Sequence, residues 1–220
     1  MRRRTTMLAS GSNDITDKIQ QLTRDYRLGF GSFIEKPRIP FTMGKTSPAY
    51  AFHHIMNLTH DSTEFEEKIL DLTTKFQTNI DIPEAGLDAI GQAMLCPGEI
   101  GWNDDRKKII IVMTDAEMHF AFDGILGGIT DKFLMECGLD NGLYDSKQND
   151  YDYPSFGQVI VYTNIHYMIR YMTIQHFLPQ YMVKRQTGRH KEVQIEYRGC
   201  PIIIWTGLNI KIGTVQKVYE

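Results

Sequence analysis

The sequence predicts an α/β domain with a doubly wound, mostly parallel sheet and flanking helices. Three observations predict it. First, an apolar run at 109–113 (IIIVM) stops abruptly at Thr114 and Asp115. Such a run reads as a strand buried on both faces, as in a parallel sheet covered by helices. Second, the elements leading up to it follow the order strand, helix, helix, strand, with loops between them. Third, 220 residues with 42% hydrophobic and 23% charged residues fit one globular domain and argue against general disorder. Ligands of open α/β sheets bind beyond the carboxyl ends of the strands, which is where Asp115 falls. A carboxylate there reads as a metal ligand, a catalytic group or a cap for the next segment.

The elements can be justified in order. Residues 1–12 read as a disordered N-terminus. Over 13–24, apolar Ile15, Ile19 and Leu22 recur at helical spacing behind Ser12 or Asn13 as N-cap. RLGFGSFI (27–34) reads as a strand, ended by Pro37 and Pro40, with a loop of Gly44, Lys45, Ser47 and Pro48 after it. A helix over 61–76 carries Phe65, Ile69, Leu72 and Phe76 on one face, with Thr63 and Glu66 as a capping box. Pro83 and Glu84 open a helix running to about residue 95, with Pro at its first position and an acid suited to the helix dipole. The 109–113 strand follows, and Gly124, Gly127 and Gly128 mark a tight connection. Residues 140–153 read as a polar surface loop, and Pro154 starts another helix. Residues 160–180 show no clean period, and 201–205 reads as a short strand. Residues 160–220 therefore stand apart as a divergent C-terminal segment.

A net charge of −3 gives no case for nucleic acid. MRRRTTMLASGSND lacks the apolar core of a signal peptide. No stretch reaches about 18 uninterrupted apolar residues, so no transmembrane helix is predicted. The three cysteines, Cys96, Cys137 and Cys200, form no CxxC, which excludes a zinc ribbon. Gly29 and Gly31 lack the third glycine of a dinucleotide fingerprint, and no Walker A or GxSxG sequence occurs. His53 and His54 are adjacent rather than at i and i+4. His119, His166 and His176 are scattered, and each reads as a packed or surface histidine. Asn57-Leu58-Thr59 is a glycosylation sequon.

Oxygen donors are more informative. Glu35, Asn79, Asp81, Glu84 and Asp115 lie at or near the ends of predicted elements. Carboxylates and amide oxygens suit hard cations such as Mg²⁺ and Ca²⁺. Asn79, Asp81 and Glu84, at i, i+2 and i+5, have the spacing to wrap a cation. The alternative is a polar loop leading into a helix.

Five blocks in order then carry a family resemblance: DYRLGFGSFIEKPRIPF (25–41), IPEAGLDAIGQAMLC (82–96), IGW (100–102), TDAEMHFAFDGILGGI (114–129) and DYPS (152–155). They resemble the I-like domain of integrin β subunits, over roughly residues 13–159. The resemblance implies a von Willebrand factor A-type fold. It also implies a cell-surface adhesion receptor that pairs with an α subunit and binds extracellular matrix or cell-surface ligands. A ligand carboxylate there completes the shell of a bound divalent cation. By resemblance, Glu84 is a ligand of a central Mg²⁺, which Asp115 supports. Glu35, Asn79, Asp81 and the Pro83 carbonyl match a neighbouring Ca²⁺ site, with Glu84 bridging. Cys96 and Cys137 match a disulfide of the family, implying an oxidising compartment, and the Asn57 sequon then reads as a glycan site.

The departures also set expectations. No DxSxS occurs, and the resemblance starts in the helix after that loop, so the fold is expected to lack the family's first strand and metal loop. The central site is then incomplete, ligand binding is impaired, and the open sheet lowers stability. The loop after Phe41 is short, with TMGKT where relatives carry two cysteines. Two other readings remain: a metal-assisted hydrolase using Glu84 and Asp115 with His119, and a metal-free A-type scaffold. An adhesion domain rather than an enzyme is the expectation, because no nucleophile–base pair or two-metal acidic cluster is recognisable.

Overall fold

The computed structural model describes residues 16–21, 23–43, 49–72, 79–114, 116–144, 147–173 and 202–208. The elements are α1 (residues 16–21), β1 (Tyr26–Ser32), β2 (His53–Thr59), α2 (Ser62–Leu72), α3 (Gly86–Leu95), α4 (Pro97–Ile100), β3 (Lys107–Thr114), β4 (Leu139–Asp140), β5 (Leu143–Tyr144), α5 (Phe156–His166), β6 (Tyr167–Thr173) and β7 (Ile202–Leu208). The expected disordered N-terminus and most of the C-terminal segment lie outside the described residues.

β3 shows how the sheet is covered. Ile110 and Val112 join a core with α3 and α4. Ile109, Ile111 and Met113 face the other way, into a core with Ile19 of α1 and Phe65, Ile69 and Leu72 of α2. A side-chain period of two thus feeds two cores from one strand. Phe30 of β1 meets Phe65 edge-on, with ring centroids 5.7 Å apart.

The α/β class holds, but the sheet is mixed rather than mostly parallel. Its order is β4-β5-β2-β1-β7-β3-β6. Only the β3–β6 pairing is parallel among these strands. β7 runs antiparallel to both neighbours, pairing with β1 from Tyr26 to Ser32 and with β3 from Lys107 to Met113. β1 and β3 therefore point the same way with β7 between them. The expected parallel direction of these two strands survives, while the direct pairings are antiparallel. An apolar run at 109–113 specifies burial on both faces but not the direction of the neighbour that supplies it.

Several element boundaries differ from expectation. β2 carries no clean apolar alternation in sequence, because His53, His54 and Asn57 break up its pattern. Asp61 caps α2: its Oδ1 accepts from the amides of Thr63 (2.9 Å) and Glu64 (3.0 Å), in place of a Thr63–Glu66 box. Phe76 lies outside the described residues. α3 starts at Gly86, because Glu84 is held in an extended bridge to Met118. Its amide donates to Glu117 O and its carbonyl accepts from His119 N, each at 2.9 Å. The presumed loop at 140–153 contains the β4–β5 hairpin. Its Asn141-Gly142 turn has positive φ at both residues, 49° and 79°, as a two-residue hairpin demands.

A candidate cation site at the carboxyl ends of β1 and β3

Because β1 and β3 run the same way, their carboxyl ends lie at one end of the sheet. The chain leaving β1 delivers Glu35 there, and the chain leaving β3 delivers His119. The loop before α3 adds Asp81. These three side chains place one ligand atom each within 4.8 Å of one another, a grouping able to hold a metal ion. His119 Nε2 lies 2.8 Å from Asp81 Oδ2 and 3.3 Å from Glu35 Oε2. Glu35 is fully buried, and its Oε2 has no hydrogen-bond partner. Its charged neighbour is the His119 imidazole at 3.3 Å, and a buried carboxylate oxygen with no hydrogen bond, beside Asp81, also suits a cation.

The other Glu35 oxygen is held in place. Oε1 accepts from the Tyr153 hydroxyl and from the Lys36 amide. Burial and the adjacent Glu35 charge push the Tyr153 hydroxyl far above the usual phenol range, so it remains a donor. The Tyr153 ring stacks on His119, with centroids 4.7 Å apart and planes 22° apart. Phe41 meets the same imidazole edge-on at 4.9 Å. Behind this shell, Lys36 and Asp88 form an ion pair at 2.9 Å with both side chains fully buried. The ammonium also sits over the rings of Tyr153 and Tyr144, and Tyr144 donates to Asp88 Oδ1 at 3.0 Å. Asp152 accepts from the amides of Phe122 and Gly124, fixing the turn that follows His119. A Cβ on Gly124 would stand 2.5 Å from Asp152 Oδ1, so this contact needs glycine.

Electrostatics follow from this packing. Burial pushes the Glu35 carboxyl up to about 8, against the opposing His119 charge and the Tyr153 hydrogen bond. Burial disfavours the His119 imidazolium. Even so, the Asp81 hydrogen bond, the Glu35 charge and the Asp123 hydrogen bond outweigh it and lift His119 to about 9. Without a cation, the cluster therefore retains protons in the neutral pH range.

The expected ligands are not all in one place. Glu35 and Asp81 converge. Asn79 is adjacent: its Nδ2 donates to Asp81 Oδ1 (3.3 Å) and to the Pro83 carbonyl (3.1 Å). Glu84 is buried nearby, with Oε2 accepting from the Thr114 hydroxyl at 2.9 Å. Asp115 lies outside the described residues. His119 joins the cluster without having been singled out as a ligand. Its signal in the sequence is Asp123, four residues on. Cys96 and Cys137 are joined in a disulfide, with Cα atoms 4.8 Å apart. Asn57 is exposed on β2.

An α/β sheet covered by helices on both faces, with acidic groups at its carboxyl edge, suits an A-type domain. The family model for the integrin beta chain VWA domain matches residues 1–184, and this chain belongs to that family. Human integrin beta-6 is 36% identical over 162 residues, covering 66% of this chain and 20% of that protein. Rat integrin beta-6 is 37% identical over the same length and shares. Human integrin beta-7 is 37% identical over 157 residues, covering 64% of this chain and 19% of that protein. The chain thus spans about one fifth of the length of the curated relatives it matches. Among the described residues, no helix is long and apolar enough to cross a membrane.

Proposed function

We propose that this chain acts as the cation-binding I-like domain of an integrin β-type adhesion receptor at the cell surface. It pairs with an α subunit there and takes an acidic group of an extracellular ligand. The observation that carries this reading is the orphaned, buried Glu35 Oε2 beside Asp81, at the carboxyl edge of the sheet in an integrin-family chain. Glu35 and Asp81, with Asn79 and the Pro83 carbonyl alongside, would hold a Ca²⁺, which takes oxygen donors in flexible number. Glu84 and Asp115 would serve a Mg²⁺, whose role is to present an open coordination position to a carboxylate.

Two further features support the reading. Exposed Phe122, Ile125 and Leu126 lie just past His119, and Ile82 sits in the cation loop. Clustered apolar exposure of this kind marks a surface that a partner covers, here assigned to the α subunit. The disulfide suits an oxidising compartment, where Asn57 would carry a glycan.

The test is calcium titration of the full chain after chelation, followed by thermal melting. Ca²⁺ should raise the melting temperature of the native protein but not of an Asp81→Asn variant. Equal responses from both proteins would remove the cation from this reading. Co-expression with integrin α subunits tests the pairing, and failure to recover any heterodimer would reject it.

A further inference from the structure

We propose that Asn57 carries an N-linked oligosaccharide whose role is to guard the open edge of the sheet at β2 against pairing with another chain. This rests on the cell-surface reading above, which takes the chain through the secretory pathway, and adds what the glycan does there.

The edge comes first. β2 pairs along one side with β1, from Ser32 opposite His53 to Leu28 opposite Thr59. On its other side β5 meets it at His53, through Leu143. Among the described residues, Ile55 to Thr59 thus face no strand on that side. An unpaired strand edge is a template for another chain, and proteins blunt such edges with charged side chains, Lys above all, or with Pro. HHIMNLT has no Lys, no acid and no Pro. Its two histidines do not stand in for them, because burial lowers the pKa of each and the strand is uncharged at neutral pH. Ile55 and Leu143 also line an open cleft with Tyr50 and Leu72, which places apolar surface beside the edge.

Asn57 is the independent observation. It is the one fully exposed side chain of the strand. Asn is depleted from strands, and here it stands between Met56 and Leu58, so strand propensity does not account for it. It opens the chain's single Asn-x-Ser/Thr triplet, Asn57-Leu58-Thr59. His54 Nε2 donates to Asn57 Oδ1 at 2.5 Å. The amide is therefore held by its oxygen, and Nδ2, the atom that bears a glycan, is left outside that hydrogen bond.

Attachment forms a C–N bond from Asn57 Nδ2 to the anomeric carbon of a lipid-diphosphate-linked oligosaccharide. The anomeric C–O bond breaks, the lipid diphosphate leaves with its electron pair, and the amide gives up one proton. The bulky, solvated sugar chain then stands over the part of β2 that no strand covers.

The experiment is secretion of the full chain from cultured animal cells that make only high-mannose glycans. Endoglycosidase trimming to a single sugar and sedimentation velocity over a range of concentrations follow. Trimming should shift the native chain on a gel and leave Asn57→Gln unmoved. The intact glycoprotein should stay monomeric. The trimmed protein and Asn57→Gln should self-associate at concentrations roughly tenfold lower or more. Asn57→Lys lacks the glycan but puts a charge on the edge, and it should stay monomeric like the glycoprotein. The trimmed native chain keeps the test decisive if a variant does not fold. Absence of a gel shift overturns the proposal. A trimmed protein as monomeric as the untrimmed one overturns it too, as does an Asn57→Lys variant that associates like Asn57→Gln. All three leave the cation reading intact. A protein that passes these comparisons but shows no calcium response supports the edge guard and rejects the cation reading alone.

Discussion

Glu35 and His119 are displaced from their ordinary protonation in the same direction, which fixes the sign of a pH effect. Glu35 rises from 4.5 to about 8, so folding favours its protonated form, and the stability this brings is lost as pH climbs through that window. His119 rises from 6.5 to about 9, so its contribution is full below 6.5 and lost as pH passes 9. Chelated protein should therefore melt several degrees lower at pH 9 than at pH 6, since about 1 kcal/mol moves a domain of this size by roughly 2–4 °C. A bound cation replaces those protons and should flatten the trend. A chelated protein whose melting temperature is flat or rising over this range would contradict the arrangement. Lys36 offers a second handle. Lys36→Met strips the buried Asp88 of its counter-ion, at a cost of about 3–5 kcal/mol. Adding Asp88→Leu should recover much of that loss in chemical denaturation. An additive double variant would mean the pair is not coupled.

At the scale of elements, the disulfide fastens the end of α3 to the segment before the β4–β5 hairpin, across 41 residues. Closing a loop of this length typically contributes about 2–4 kcal/mol by restricting the unfolded chain. Cys96→Ser with Cys137→Ser should lower stability by that order in urea denaturation, and an unchanged midpoint would show that other contacts already hold this region. The hairpin was legible in principle: Asn141-Gly142 is the turn pair that tolerates two positive φ values. Glu84 was less legible. Pro83-Glu84 looks like a helix start by propensity, but a bridge to Met118 draws it out of the helix. That bridge links residues 34 positions apart, which no local pattern encodes.

For the whole molecule, β7 is the central fact. It pairs on both sides, with β1 and with β3, and so lies between the two parallel-running strands. A chain ending after residue 201 should lose its single cooperative melt, because two long ladders become unpaired edges. A truncated protein that melts like the full chain would show that β7 adds nothing to the sheet. The reading of 201–205 as a strand was correct in kind, yet its place in the sheet is set by partners at residues 26–32 and 107–113.

The sequence by itself determined the α/β class, the helical face of α2, the core strand at 109–113 and the membership signalled by five ordered blocks. These are matters of period, capping chemistry and local composition, which act over a few residues. It also nominated Glu35 and Asp81, because acids at element ends are visible one at a time. The tertiary structure alone decided that β7 runs antiparallel through the middle of the sheet. It alone turned Glu84 toward Thr114 and brought His119 up to Glu35 and Asp81. Strand direction and ligand convergence depend on contacts between distant segments, and a linear pattern carries the apolar or acidic character of each residue but not the partner it meets.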